Sequence, residues 1–135
     1  MRRYVTDTQC LLWHLNRDRH LPKGARSIFE AADKGHAQVL VPSMVLVESV
    51  FLLQRQRVAQ AVVEKLLQLP EDADASFCVV SLDLSVARAS ADFGPAAVPE
   101  LADRIIAATA RALNLPLLTV DHAIAASGLV EMVES

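Results

Sequence analysis

Short runs of branched apolar residues alternate along this chain with longer stretches of helical periodicity, and that alternation constrains the fold more than any other feature. Arg3 to Thr6, Val39 to Val41, Phe77 to Val80 and Leu117 to Val120 read as strands, with Glu131 to Val133 a candidate fifth. Between them lie Thr8 to Leu15, with Leu11, Leu12 and Leu15 on one side, and a helix opened by Pro22 that carries Ala25, Ile28, Phe29 and Ala32 and stops at Gly35. Pro42-Ser43 starts a third helix, Met44 to about Leu53. Helical spacing then continues from Gln54 to Leu69, where Val58, Val62, Leu66 and Leu69 form a stripe that Pro70 ends. Ser85 to Phe93 reads as a short helix and Gly94 to Pro99 as a loop. Glu100 to Leu113 reads as a helix stopped by Asn114 and Pro116. Strands buried on both faces need helices on both faces. The spacing therefore predicts an α/β fold: one three-layer α/β/α domain, residues 1–135, around a short parallel sheet.

Bulk properties agree with a folded domain and exclude several classes. Apolar residues make up 53% of the 135 and charged ones 21%, a globular balance. With aromatics at only 4%, the core must come from Leu, Val, Ile and Ala. The longest apolar run, Val39 to Leu53, is broken by Pro42, Ser43, Glu48 and Ser49 and falls short of the roughly 18 residues that a membrane span needs. Thr6, Asp7, Thr8 and Gln9 interrupt any secretory leader, so a cytoplasmic location without membrane contact is expected. Cys10 and Cys78 are far apart and lack a CxxC partner, which reads as two reduced, buried thiols. The net charge of −3 gives no global attraction to polyanions, so such a partner would have to meet local basic clusters.

Four acids stand out against this background. Asp7 and Asp121 each follow a strand directly, which puts both at the carboxyl edge of a parallel sheet, where such folds bind ligands. Taken singly, each is also a good cap for the next helix. Glu48 is the only charged residue from Val39 to Leu53, with Met44, Val45, Phe51 and Leu52 as helical neighbours. A carboxylate there needs a partner: an Arg in the core on the bland reading, a metal on the functional one. Asp103 shares a helix face with Ile106, Ala107 and Ala110, a poor place for an acid that merely favours the helix dipole.

Four carboxylates gathered at one sheet edge repel each other unless a cation joins them. Oxygen-only donors suit Mg²⁺ or Mn²⁺ rather than zinc. An ion held in this way generally serves phosphate chemistry, orienting a phosphodiester, acidifying a water and stabilising the leaving oxygen. The chain has no GxxxxGK[ST] and no GxGxxG, which excludes P-loop and dinucleotide enzymes.

The segments Tyr4 to Thr8, Val41-Pro42-Ser43 through Glu48, Ala102 to Ala110 and Leu118-Thr119-Val120-Asp121 together resemble the PIN-domain family. The similarity is strongest to VapC-type toxins of toxin–antitoxin pairs. The order and spacing of the four acids both fit. The resemblance implies a Mg²⁺- or Mn²⁺-dependent endoribonuclease, RNA as substrate, a homodimer, and inhibition by a VapB-type antitoxin. It implies that Asp7, Glu48 and Asp103 are the core catalytic and metal acids, with Asp121 a more variable fourth. Thr6, Thr8 and Thr119 would be hydroxyls that orient carboxylates or water. Ile124 departs from the family, whose members often carry an aromatic there.

Two other readings compete. A catalytically silent PIN-like module that binds RNA or protein would not require all four acids. A phosphatase using Asp7 would want a second Asp where Gln9 stands and a Lys near the last strand. Arg17, Arg19, Lys23 and Arg26, with Arg55 and Arg57, are the best phosphate-contact candidates as groups, although each alone reads as solvated charge. Trp13 reads as core or dimer seam. His14, His20, His36 and His122 show no metal-ligand spacing. The apolar helical surface between Val39 and Leu69 is rich enough to bury a partner as well as the core.

Overall fold

Strand β1 (Arg2–Thr6) lies beside β2 (Ala37–Pro42), whose six residues are all buried, as a strand covered on both faces requires. The computed structural model describes residues 1–133. Between these strands run helices α1 (Thr8–Leu15) and α2 (Lys23–Asp33). After β2 come α3 (Ser43–Gln54), α4 (Gln60–Leu67), β3 (Phe77–Val80), α5 (Leu84–Ser90) and α6 (Leu101–Leu113). The described chain ends with β4 (Leu117–Leu118) and α7 (His122–Ser127). All strand pairs are parallel, in the order β3-β2-β1-β4, with Tyr4 opposite Val39 and Thr6 opposite Leu118.

This order places the site. The chain moves from β1 to β2 to β3 in one direction, then returns to pair β4 with the other side of β1. Right-handed crossovers in opposite directions put their helices on opposite faces of the sheet, giving the expected three layers. Phe29, Leu40, Leu117, Ile106 and Ile124 are each no more than 1% exposed and fill the space between them. Burying each such side chain contributes about 1.5–3 kcal/mol. The direction in which strands are added across the sheet reverses at β1, which opens a crevice beyond the carboxyl ends of β1 and β4. No helix among the described residues is long and apolar enough to cross a membrane.

The structure corrects several element boundaries. The helical stretch expected to begin at Met44 and continue through Leu69 is two helices, α3 and α4, broken at residues 55–59. Gln56 takes a left-handed conformation (φ 60°) there, and the amides of Gln56 and Arg57 close onto the carbonyls of Leu53 and Leu52. The apolar stripe crosses this break because α4 folds back to pack on α3, so both helices use it. Strand β4 ends at Leu118 rather than Val120, because the Thr119 hydroxyl accepts from the Asp121 amide (3.1 Å) and turns the chain into α7. The fifth strand is reduced to one bridge between Leu117 and Met132. Ser85 to Phe93 shifts to Leu84–Ser90, capped by Asp83.

Candidate active site

Asp7 ends β1 and caps α1. Its amide continues the sheet by donating to Leu118 (3.1 Å), and its Oδ1 accepts from the Cys10 amide at 2.8 Å. The fully buried Thr6 donates its hydroxyl to the Asp7 carbonyl (2.9 Å). Burial raises the Asp7 pKa. Hydrogen bonds from Thr119 and Cys10 oppose that shift, and nearby Glu48 adds to it. Asp121 repeats the arrangement at the end of β4, its Oδ1 accepting from the Ile124 amide at 3.0 Å to cap α7. Capping and site-lining, rivals in the sequence, coexist here because a carboxylate has two oxygens and a cap engages one of them.

Glu48 and Asp103 approach from α3 and α6. Glu48 is half-buried, and its Oε1 accepts from the hydroxyl of Thr8, the first residue of α1. Among the described residues no Arg pairs with Glu48, and its partner is this hydroxyl. Asp103 sits half-buried in the first turn of α6, with Ile106, Ala107 and Ala110 buried along the same helix. Burial pushes the Asp103 carboxyl up to about 7, helped by the charges of Asp121 and Glu48, a hydrogen bond with Asp121, and the charge of Asp7.

All four acids line one cavity of about 310 Å³, together with Thr8, Gln9, Leu12, Leu52 and Val120. None of them has an ion-pair partner among the described residues, where the pairs are His14–Asp33, His20–Asp18 and Arg111–Asp92. Their donor set is carboxylate and hydroxyl oxygen only, which fits a hard divalent cation. As placed, no three acidic, histidine or cysteine side chains among the described residues are arranged tightly enough to clasp an ion directly. Local bonds hold the carboxylates in those positions: Asp7 to Cys10, Glu48 to Thr8, Asp121 to Ile124.

One positioning residue escaped the sequence reading. Arg104, next to Asp103, donates from Nε to Val98 (3.1 Å), from Nη1 to Phe93 (2.7 Å) and from Nη2 to Gly94 (2.8 Å). It ties the loop of residues 94–99 to the start of α6. Its only sequence signal is an Arg one residue after a half-buried Asp, which is too common to be read alone.

The other candidates lie elsewhere. Arg17, Arg19 and Arg26 border a separate hollow with Trp13 and His14. Lys23 and Arg57 are exposed, and the Arg55 guanidinium covers the Phe51 ring at 4.3 Å. His122 is exposed beside Asp121. Cys10 and Cys78 are buried and free. Burial raises both thiols, and Asp7 raises Cys10 further.

Comparison with known proteins agrees with this fold. The VapBC2 structure from Rickettsia felis, bound to a DNA fragment from their promoter, matches 96% of this chain and 96% of its own. Its TM-score is 0.69 and its identity 15%. VapC20 of Mycobacterium tuberculosis, a sarcin–ricin-loop-cleaving toxin, matches over 97% of this chain and 99% of its own, with TM-score 0.66 and 17% identity. At such identities the likeness is one of fold. No curated protein sequence matches the chain significantly. The model of the PIN domain matches residues 4–127, from β1 through the end of α7, and the chain therefore belongs to the PIN-domain family.

Proposed function

We propose that this protein is a divalent-metal-dependent endoribonuclease and the toxin of a VapBC-type toxin–antitoxin pair. The observation that carries the reading is the cavity lined by Asp7, Glu48, Asp103 and Asp121, none of which is ion-paired among the described residues. Family membership supports nuclease chemistry. The fold shared with a sarcin–ricin-loop-cleaving toxin supports RNA as the substrate, and the fold shared with VapBC2 supports a VapB-type antitoxin. Exposed Val47 and Phe51 on α3 support a homodimer through apolar helical surface.

Asp7, Glu48 and Asp103 would hold Mg²⁺ or Mn²⁺, with Asp121 completing or adjusting the site. The ion supplies positive charge against the phosphate and acidifies a water. The chain's own residues do the rest. Asp7 and Asp121 are fixed at the two strand ends by their helix caps, so the phosphodiester meets a rigid edge. Thr119 accepts from the Asp121 amide and holds the Asp7 pKa down against burial, so it bears on both acids. Thr8 holds Glu48 on the wall of the cavity. Asp121 would orient the attacking water. An antitoxin segment bearing Arg or Lys would neutralise the same acids in place of metal.

The competing reading, a silent binding module, draws on the carboxylates being spaced too widely to clasp an ion directly. Cleavage of cellular RNAs with Mg²⁺, Mn²⁺ or EDTA, by wild type and by Asp7→Asn, separates the two. Cleavage abolished by both EDTA and Asp7→Asn is the expected result. Activity that survives both would refute the mechanism, and no cleavage under any condition would favour the silent module.

A further inference from the structure

A hollow of about 600 Å³, larger than the acidic cavity, opens at the far end of α1 from Asp7. The eight residues of α1 separate the two sites by roughly 12 Å, at ~1.5 Å per residue. The hollow is lined by Arg17, Arg19, Arg26 and Lys65. None of these cations lies within ion-pair distance of a carboxylate among the described residues. Two of the three lining acids are engaged instead by histidines, Asp18 by His20 (2.6 Å) and Asp33 by His14 (3.2 Å). Cations thus outnumber acids four to three here, in a chain whose 16 acids outnumber its 13 cations.

Two further features accompany that charge. Trp13, the only tryptophan, is half-buried in the wall, with the exposed His20 ring stacked over it at 5.9 Å and 26°. The outermost ring of this stack is therefore His20, an exposed platform backed by Trp13. Arg17 has a left-handed backbone (φ 54°), at the helix-closing position where the amides of Arg17 and Asp18 donate to His14 and Trp13. Glycine or asparagine normally occupies that position, because a side chain there is strained. An arginine in its place carries a backbone cost, as Gln56 does at the end of α3, and adds a cation to the lining of the hollow.

We infer that this hollow is a docking site for single-stranded RNA, taking backbone phosphates on Arg17, Arg19 and Lys65 and stacking a base on the exposed His20 ring that overlies Trp13. Cations tracking a backbone beside an aromatic platform are the chemistry that holds single strands irrespective of sequence. An acidic peptide would use the cations but has no need of the ring. The inference rests on the nuclease reading for the identity of the polyanion. Its place at the other end of the helix that starts at Asp7 would let one strand reach both sites, a few nucleotides apart.

Trp13 fluorescence reads the hollow directly, without any cleavage. The full chain is titrated in EDTA with a short mixed-sequence oligoribonucleotide, and separately with inorganic phosphate. We expect saturable quenching by the oligonucleotide only, with log K falling against log salt by about 0.7 per phosphate held. Arg17→Gly combined with Arg19→Ser should weaken that binding roughly tenfold or more, the loss of about two phosphate contacts. Arg17→Gly alone should raise Tm, since it relieves the strained backbone; this shows that lost binding is not lost folding. Arg88→Ser, an exposed cation on α5, should leave the titration unchanged. No saturable quenching, or equal quenching in the double variant, would overturn the inference. So would a double variant whose only change is the loss of a protein–protein complex in sedimentation. Quenching by a protein that never cleaves RNA would sink the nuclease reading and leave this site standing.

Discussion

Asp103, in the first turn of α6, and Asp121, at the end of β4, line the same cavity, and after burial the charge of Asp121 is the main influence pushing the Asp103 carboxyl up to about 7. The pair stands at the carboxyl edge of the sheet. Without metal it is a site of stored repulsion that a proton relieves.

A pH dependence of stability follows. Asp103 in the folded state is pushed up to about 7 from 3.8, so between these values the folded chain holds a proton that the unfolded chain has lost. Below this window both states are protonated, and above it both are ionised. Metal-free stability should therefore fall as pH rises from about 4 to about 7. Asp103 is half-exposed, so solvent screening limits the loss to the order of 1–2 kcal/mol. Urea denaturation in EDTA at pH 5 and pH 7.5 measures it, and Asp103→Asn should flatten the difference. A wild type that is more stable at pH 7.5 would contradict the assignment.

Asp7 separates two roles by substitution. Asparagine caps a helix as well as aspartate, so Asp7→Asn should keep the bond to the Cys10 amide and leave stability unchanged or slightly higher. Its RNA cleavage should fall at least a hundredfold, the scale on which lost transition-state charge stabilisation shows. Asp7→Ala loses the cap as well and should be less stable by about 1 kcal/mol. Thermal melts set beside cleavage rates check this, and an Asn variant as unstable as the Ala variant would make Asp7 mainly a structural cap.

The sheet and the meeting of the acids were legible because both follow from strand direction. Val39 to Val41 could only be a strand covered on both faces, and an acid just after a parallel strand lies at its carboxyl edge. Glu48 was legible as an anomaly, a charge within apolar sequence, although its partner Thr8 is 40 positions away and no local pattern points to it. The break at Gln56 was hidden because the apolar period runs through it unchanged. Helix α7 was hidden for the opposite reason: six residues leave too little periodicity to read. The role of Arg104 depends on three carbonyl groups in a loop, which carry no side-chain signature at all.

Exposed Val47 and Phe51 lie one helical turn apart on α3, 59% and 51% accessible, and give the dimer proposal a direct test. Phe51→Glu should convert a dimer into a monomer by light scattering. Fold stability should change by less than about 1 kcal/mol, since the residue is half-exposed and its contact with Arg55 is a surface one. A monomeric wild type at micromolar concentration, or a variant that remains dimeric, would remove this face from the assembly.

Arg104 gives the last prediction. Its guanidinium satisfies the carbonyls of Phe93, Gly94 and Val98, so truncation to Ala leaves three acceptors to water or to nothing. The cost should be about 1–3 kcal/mol, within the range for losing charge-assisted bonds that are partly exposed. Arg104→Lys keeps the charge but replaces a planar fork with a single ammonium, so it should recover only part of that loss. Because residues 94–99 lead directly into the turn that carries Asp103, a loosened loop should also disorder that carboxylate. Amide exchange should quicken across residues 94–103 in both variants, more so in Ala, while β1 and β2 stay protected. Mn²⁺ affinity should fall alongside it, although Arg104 touches no acid of the site. Unchanged exchange in residues 94–103 would show that the loop holds itself and that the three bonds are incidental.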